Sequence, residues 1–371
     1  MKTVNEFILY YNETLRNDPL FLAMAEEVEG SPWHREANVR VHTDMVVNQM
    51  LTSYRLSEKN KILGLLSCAF HDVGKPPAME VVKTHPTRGV YKRFKGHEIL
   101  SSRLWVDYAL RNFSNMSKED IYKIAWMIEY HLPFDIKKPD KVNNLVSTIC
   151  YYNIHNTFLD AVEADQLGRI ADDPEEKIER FSAWKDSMQV DCNDFLDGDR
   201  IQSLHEREGL ISEGKRACYV LIGPSGAGKS TFAQQFDDCG YHSMDTLRCD
   251  LYPSSYDSSV DRYKHAFRES CEDSDFRNKV TKHFISVLKD NHRNVVVDNL
   301  NLTKKSRNQY ITEARRKGYA PIGVVFFNTL EEIMNRRVSR SDKYLDEDIV
   351  FKQYMRLQMP LMGEFDKIIF V

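Results

Sequence analysis

The chain has 371 residues, 42% hydrophobic and 29% charged, with a net charge of −4. That is the composition of a soluble protein long enough for two cores. It excludes a globally basic nucleic-acid coat but not a local basic groove. No apolar run approaches the roughly 20 residues that span a bilayer, and Met1 to Glu6 lead into no secretory segment. The seven cysteines are dispersed and contain no Cys-x-x-Cys, which suits reduced thiols in a cytosol and gives no sign of a zinc-thiolate site.

The first half is predicted to be helical almost throughout. His42 to Met50 form one helical stretch, and the apolar run Lys61 to Phe70 delivers His71-Asp72 at its C-terminal end. Gly74 and Pro76-Pro77 stop that helix. His97 to Asn112, Lys118 to His131 and Lys141 to Leu167 carry apolar residues at helical intervals. Between Pro76 and His97 the sequence predicts a basic loop containing Lys83, His85, Arg88, Lys92, Arg93 and Lys95. Such a loop could follow a nucleic-acid backbone, although a solvated surface loop is the plainer reading of any single residue in it. Two acidic stretches follow, and the second, with Gly198, Gly209 and Gly214, reads as a linker. The expected division is a domain over 1–190, a linker over 191–215 and a domain over 216–371.

His42, His71, Asp72, His97, His131 and Asp165 each fall on or at the end of a predicted helix. Helices can converge such residues on one cavity, and imidazoles with carboxylates suit a hard or borderline metal. Adjacent His71 and Asp72 could serve two ions with Asp72 bridging, a geometry that activates water and clamps a phosphate. A lone histidine in a helical domain is ordinarily a core or surface residue, and His34, His85 and His155 are read that way. The order His…His-Asp…His…His…Asp, with His71-Asp72-Val-Gly-Lys75 as its centre, resembles the HD phosphohydrolase superfamily over residues 34–170. The resemblance implies an all-α HD fold. It places His42, His71, Asp72 and Asp165 around one divalent transition metal, and His97, His131 and Asp72 around a second. Lys75 is then a candidate phosphate contact, and Arg169 either another or the partner of an acidic neighbour.

The second half changes period. Ala217 to Ile222, Val295 to Val297, Ile322 to Phe327 and Lys367 to Val371 read as strands, with helices near 229–238, 276–290, 304–317, 329–338 and 347–357. Strands alternating with helices predict a mainly parallel α/β sheet. Gly223-Pro-Ser225-Gly226-Ala-Gly228-Lys229-Ser230-Thr231 sits between a strand and a helix, the context of a phosphate-binding loop. Its amides enfold phosphate oxygens, Lys229 supplies charge and Ser230 is placed to ligate Mg²⁺. Asp245 follows a short strand, where a carboxylate could take a proton from an attacking hydroxyl; a helix N-cap is the bland alternative. Arg248 shares its helical face and could hold a substrate phosphate. Asp298 ends a strand, in reach of the Mg²⁺ shell, and Thr303 reads as a cap. Arg336 and Arg340 lie at i, i+4, placed either to close over a triphosphate or to form a solvated basic face.

Together these residues resemble the 5′-hydroxyl polynucleotide kinase family: the phosphate loop, Asp245-x-x-Arg248, Asp298-x-x-Asn301 and an arginine-bearing lid. The resemblance implies Asp245 as general base, Arg248 and Asn301 as substrate contacts, and Arg336 and Arg340 as lid residues, with Arg337 able to replace either. An HD domain followed by this kinase resembles the bifunctional HD-domain polynucleotide kinases of bacterial and phage end healing. The implied activities are removal of a 2′,3′-cyclic phosphate or 3′-phosphate, and transfer of the γ-phosphoryl of ATP or GTP to a 5′-hydroxyl. The implied partners are RNA or DNA ends and a separate ligase, and the expected location is the cytoplasm of a bacterium or phage-infected host. The alternatives are a small-molecule kinase fused to a nucleotidase, and a nucleotide-sensing regulator.

Overall fold

The computed structural model describes residues 1–85, 89–133, 138–172, 174–212, 214–236, 239–253, 259–287, 294–339 and 345–371. The chain divides into two compact units, Met1–Ile201 and Gln202–Val371. The division falls inside 191–215, the stretch expected as a linker, and that stretch is helical up to Ser212. Among the described residues no helix is long and apolar enough to cross a membrane.

The first unit contains α1 (Val4–Glu13), α2 (Pro19–Glu26), α3 (Val39–Leu51), α4 (Glu58–Phe70), β1 (Met79–His85), β2 (Gly89–Lys95), α5 (His97–Asn112), α6 (Lys118–Glu129), α7 (Pro139–Tyr151), α8 (His155–Leu167) and α9 (Pro174–Asp197). α10 (Asp199–Ser212) crosses the division. α4 is the central rod. Every residue from Ile62 to Phe70 is buried, as a helix apolar on all sides requires, and α3, α6 and α8 pack around it. Short polar side chains start these helices. Asn38 caps α3, Ser57 caps α4 and Ser117 caps α6, each accepting a hydrogen bond from the backbone of the first turn.

Two expectations for this unit are corrected. The described part of the basic loop is an antiparallel strand pair, β1 with β2, registered from Met79 opposite Lys95 to His85 opposite Gly89, and Arg88 lies outside the described residues. Its cations obscured the strand pattern, yet Phe94 is buried, Tyr91 meets Trp33 edge-on at 5.0 Å, and Lys92 pairs with Glu80 at 2.9 Å. The unit is helical, as expected, with this strand pair set between α4 and α5. The single helix predicted over 141–167 is also two, because Asn153 takes a left-handed conformation (φ 51°) between α7 and α8, which a continuous helix cannot contain.

The second unit contains β3 (Ala217–Ile222), α11 (Lys229–Ala233), β4 (Cys239–Ser243), α12 (Met244–Leu251), α13 (Ser259–Glu272), α14 (Ser274–Val287), β5 (Asn294–Asp298), α15 (Lys304–Arg316), β6 (Ala320–Val325), α16 (Leu330–Val338), α17 (Glu347–Met355) and β7 (Lys367–Phe370). The sheet is parallel throughout, in the order β4-β5-β3-β6-β7. β3 is central and fully apolar on one face, packing Leu221 with Val296, Val324 and Phe326. This order sets the carboxyl ends of β3, β5 and β4 side by side, the edge where α/β sheets bind ligands.

Candidate functional sites

In the first unit, six side chains remote in sequence meet. His42 and Asp165 come from α3 and α8, His71-Asp72 from the end of α4, His97 from the start of α5, and His131 from just beyond α6. All six are buried, between 1% and 7% exposed. The Nδ1 of each histidine faces a backbone carbonyl: His71 that of Cys68 at 2.7 Å, His97 that of Phe94 at 2.8 Å, His131 that of Ile128 at 2.7 Å and His42 that of Gly168 at 3.0 Å. A carbonyl only accepts, so every Nδ1 carries its proton and every Nε2 of the neutral ring offers a lone pair.

Those lone pairs converge on carboxylates. His71 Nε2 lies 3.2 Å from Asp72 Oδ2, and His42 Nε2 lies 3.1 Å from Asp165 Oδ1. On the other side of Asp72, Oδ1 faces His97 Nε2 at 3.3 Å and His131 Nε2 at 4.0 Å. His42 and His71 bring their Nε2 atoms within 3.3 Å of each other. Acceptor therefore faces acceptor, and Asp72 Oδ1 and His97 Nε2 have no hydrogen-bond partner among the described residues. Buried orphan acceptors are costly unless a cation joins them. Protons cannot serve everywhere. Burial lowers the His42 pKa but Asp165, Glu36 and Asp72 override it, raising it to about 9, whereas burial and the neighbouring His71 and His97 push His131 down to about 3. Burial would raise the Asp72 and Asp165 carboxyls, yet the surrounding cations hold both well below the usual range. Buried imidazoles and carboxylates in this arrangement are a donor set that could hold divalent metal. The groups His42–His71–Asp72 and Asp72–His97–His131 each keep their ligand atoms within 4.8 Å of one another.

The glycine of His71-Asp72-Val-Gly74-Lys75 has a packing reason. A Cβ there would lie 2.5 Å from His97 O and Ser101 N, so only glycine lets the turn approach α5, and Gly74 N donates to Ser101 Oγ at 2.8 Å. Gly168 plays the same part against α3, 2.7 Å from Val46 Cα. Lys75 departs from its expected role. It is 5% exposed, and its ammonium is clamped by Asp72 Oδ2 at 2.8 Å and Glu29 Oε2 at 2.6 Å. It orients Asp72 rather than facing open space. Arg169 pairs with Asp165 at 2.6 Å. The sequence did not single out Glu29 or Glu36, and His34 read as an ordinary core or surface histidine. His34 Nδ1 stands 3.6 Å from Glu36 Oε2, behind His42. These residues lie in a segment without helical period, so no spacing marked them.

In the second unit, β3 runs into the phosphate loop, and α11 begins at Lys229. Gly226 (φ 85°) and Gly228 (φ 93°) take the left-handed conformation that turns successive amides inward. Ser225, Gly226, Gly228, Lys229, Ser230 and Thr231 line a cavity of about 610 Å³. Gly223 does not line it. Its Cβ would press Ala227 and Phe326 at 3.1 and 3.2 Å, so it is a packing glycine. Lys229 Nζ donates to the carbonyls of Gly223 and Pro224 at 2.9 and 2.7 Å, folding over its own loop. Ser230 Oγ donates to Asp298 Oδ2 at 2.8 Å, and Tyr241 Oη donates to the same oxygen at 2.7 Å. A loop serine joined to a strand-end aspartate is the pair that holds Mg²⁺ in P-loop enzymes; Tyr241 is a partner the sequence did not reveal.

Asp245 and Arg248 line the same cavity. They pair at 2.7 Å, and the Arg248 guanidinium lies 5.4 Å over the Phe267 ring, so both groups are held in place. Arg336 also lines it, with Nη1 3.4 Å from Gly226 O. Arg337 turns away to Glu347 at 2.9 Å, which separates the two neighbours. Arg340 lies outside the described residues. Asn301 is corrected. It is 1% exposed, adopts φ 51° and donates to Leu221 O at 2.8 Å. It ties the loop after β5 to the end of β3 and supports the phosphate loop from beneath, where no substrate reaches it.

A protein-family model described as an AAA domain matches residues 219–360, from within β3 to beyond α17. No curated protein matches the chain.

Proposed function

We propose that the chain heals broken nucleic-acid ends with two sites. The second unit is a P-loop domain of kinase type, which implies a bound nucleotide and Mg²⁺. The observation that carries the proposal is that Asp245 and Arg248 share one cavity with the phosphate loop, so a donor and an acceptor can meet there. Arg248 orients the phosphate adjoining the acceptor's 5′-hydroxyl. The hydroxyl oxygen attacks the γ-phosphorus of ATP or GTP, its proton passes to the Asp245 carboxylate, and the bond to the β-phosphate oxygen breaks to release the diphosphate. Lys229 and Arg336 stabilise charge on the transferring group. Mg²⁺, held by Ser230 and Asp298, would supply further neutralisation.

The first unit complements this step. Its histidines and Asp72 and Asp165 fit divalent ions, which when bound supply Lewis acidity and an activated water for phosphoester hydrolysis. The chain's own contribution is to fix each imidazole through its Nδ1–H, to hold Asp72 in place through Lys75, and to keep the cluster buried. Hydrolysis of a 2′,3′-cyclic phosphate or 3′-phosphate there, with 5′-phosphorylation at the other site, produces the ends a separate ligase needs. RNA and DNA ends are both candidate substrates. The test gives the purified protein a 5′-hydroxyl oligonucleotide with γ-labelled ATP or GTP. Label on the 5′ end supports the reading, and absence of transfer across a range of Mg²⁺ concentrations overturns it.

A further inference from the structure

The cavity is also lined by α13, which carries two cations that the proposed transfer does not use. This helix turns Tyr263, Lys264, Phe267 and Arg268 toward the cavity. They are two i, i+4 pairs lying side by side on one face, one aromatic and one cationic. Tyr263 and Phe267 stack with centroids 6.0 Å apart, and Tyr263 is buried. The aromatic pair thus anchors the helix, and Phe267 also seats the Arg248 guanidinium. Lys264 and Arg268 are exposed. Arg268 meets Glu272 at 2.9 Å with its side chain 72% exposed, a solvent-screened pair that a phosphate can displace.

We propose that α13 is the track for the acceptor strand beyond its first nucleotide. Arg248 takes the phosphate next to the attacked hydroxyl, and Lys264 and Arg268 take the phosphates that follow. Residues four apart on a helix are separated by about 6 Å along its axis, on the scale of successive phosphates in one strand. A single row of cations matches one backbone, so the preferred acceptor is a single-stranded end several nucleotides long. The charge distribution agrees. Among the described residues lining the cavity, cations outnumber carboxylates five to three, in a chain whose net charge is −4. A small acceptor would end at Arg248 and leave Lys264 and Arg268 without a role. This inference rests on the kinase reading and adds the substrate length and the residues that sense it.

The experiment compares two acceptors, a nucleoside 3′-monophosphate and a 5′-hydroxyl decanucleotide, with wild-type protein, Lys264→Ala/Arg268→Ala and the control Lys305→Ala. The wild type is expected to show a lower KM for the decanucleotide. The double variant should raise that KM roughly ten-fold and flatten the dependence of KM on salt, while its KM for the mononucleotide and its circular dichroism stay at the wild-type values. Equal changes for both acceptors, or none, overturn the inference while transfer by the wild type leaves the kinase reading standing. Wild-type protein that phosphorylates neither acceptor overturns both.

Discussion

Asp72 is the residue on which the first site turns. Its two oxygens face different pairs of histidines, and an amide offers only one acceptor in their place. Asp72→Asn should therefore lower bound metal by about ten-fold or more and abolish phosphate release. Phosphoryl transfer should stay within about two-fold of wild type, since the two sites share no residues and independent sites do not couple. Metal analysis alongside both assays checks this, and loss of both activities would mean that the sites are not separate. Asp245→Asn tests the other site. It keeps the shape, removes the base and takes the negative charge from Arg248's partner, so kcat for transfer should fall by about 10²–10⁴, measured with saturating triphosphate and acceptor.

Helices carry most of the candidate ligands, and two backbone positions set where the helices sit. Gly74→Ala places a Cβ against the backbone of α5. It should cost about 1–3 kcal/mol in chemical denaturation and reduce metal stoichiometry, because α5 starts at His97. Asn153 offers a gentler contrast. Its left-handed conformation suits glycine and penalises alanine. Asn153→Ala should lose about 1–2 kcal/mol, while Asn153→Gly should stay close to wild type; equal losses would mean that the side chain, not the backbone, matters. The strand pair β1–β2 shows why some elements escaped the sequence. Lys83, Lys92, Arg93 and Lys95 made 79–95 read as a solvated loop, because strand pairing is a non-local fact that charge-rich residues disguise. The break at Asn153 was hidden for the opposite reason, since one left-handed residue barely disturbs an apolar period of 3.6.

Each unit of the molecule is compact in itself, and a different ligand is proposed for each. The protein should unfold in two thermal transitions. Chelation should lower one of them, and MgATP at about 100-fold above its Kd should stabilise the other by about 2.7 kcal/mol. Scanning calorimetry with each addition separately checks this. A single transition shifted by both would show that the units unfold as one.

The sequence by itself determined the two-part organisation, the parallel α/β character of the second half, the phosphate loop and the six ligand candidates, because each rests on local period, turn chemistry or residue type. Only the tertiary structure decided which neighbours share a charge. It took Lys75 into a clamp between Asp72 and Glu29, moved Asn301 beneath the phosphate loop, brought Tyr241 to Asp298 and set α13 along the cavity. Those outcomes depend on which strands pair and how closely helices approach, distances that no spacing along a chain encodes.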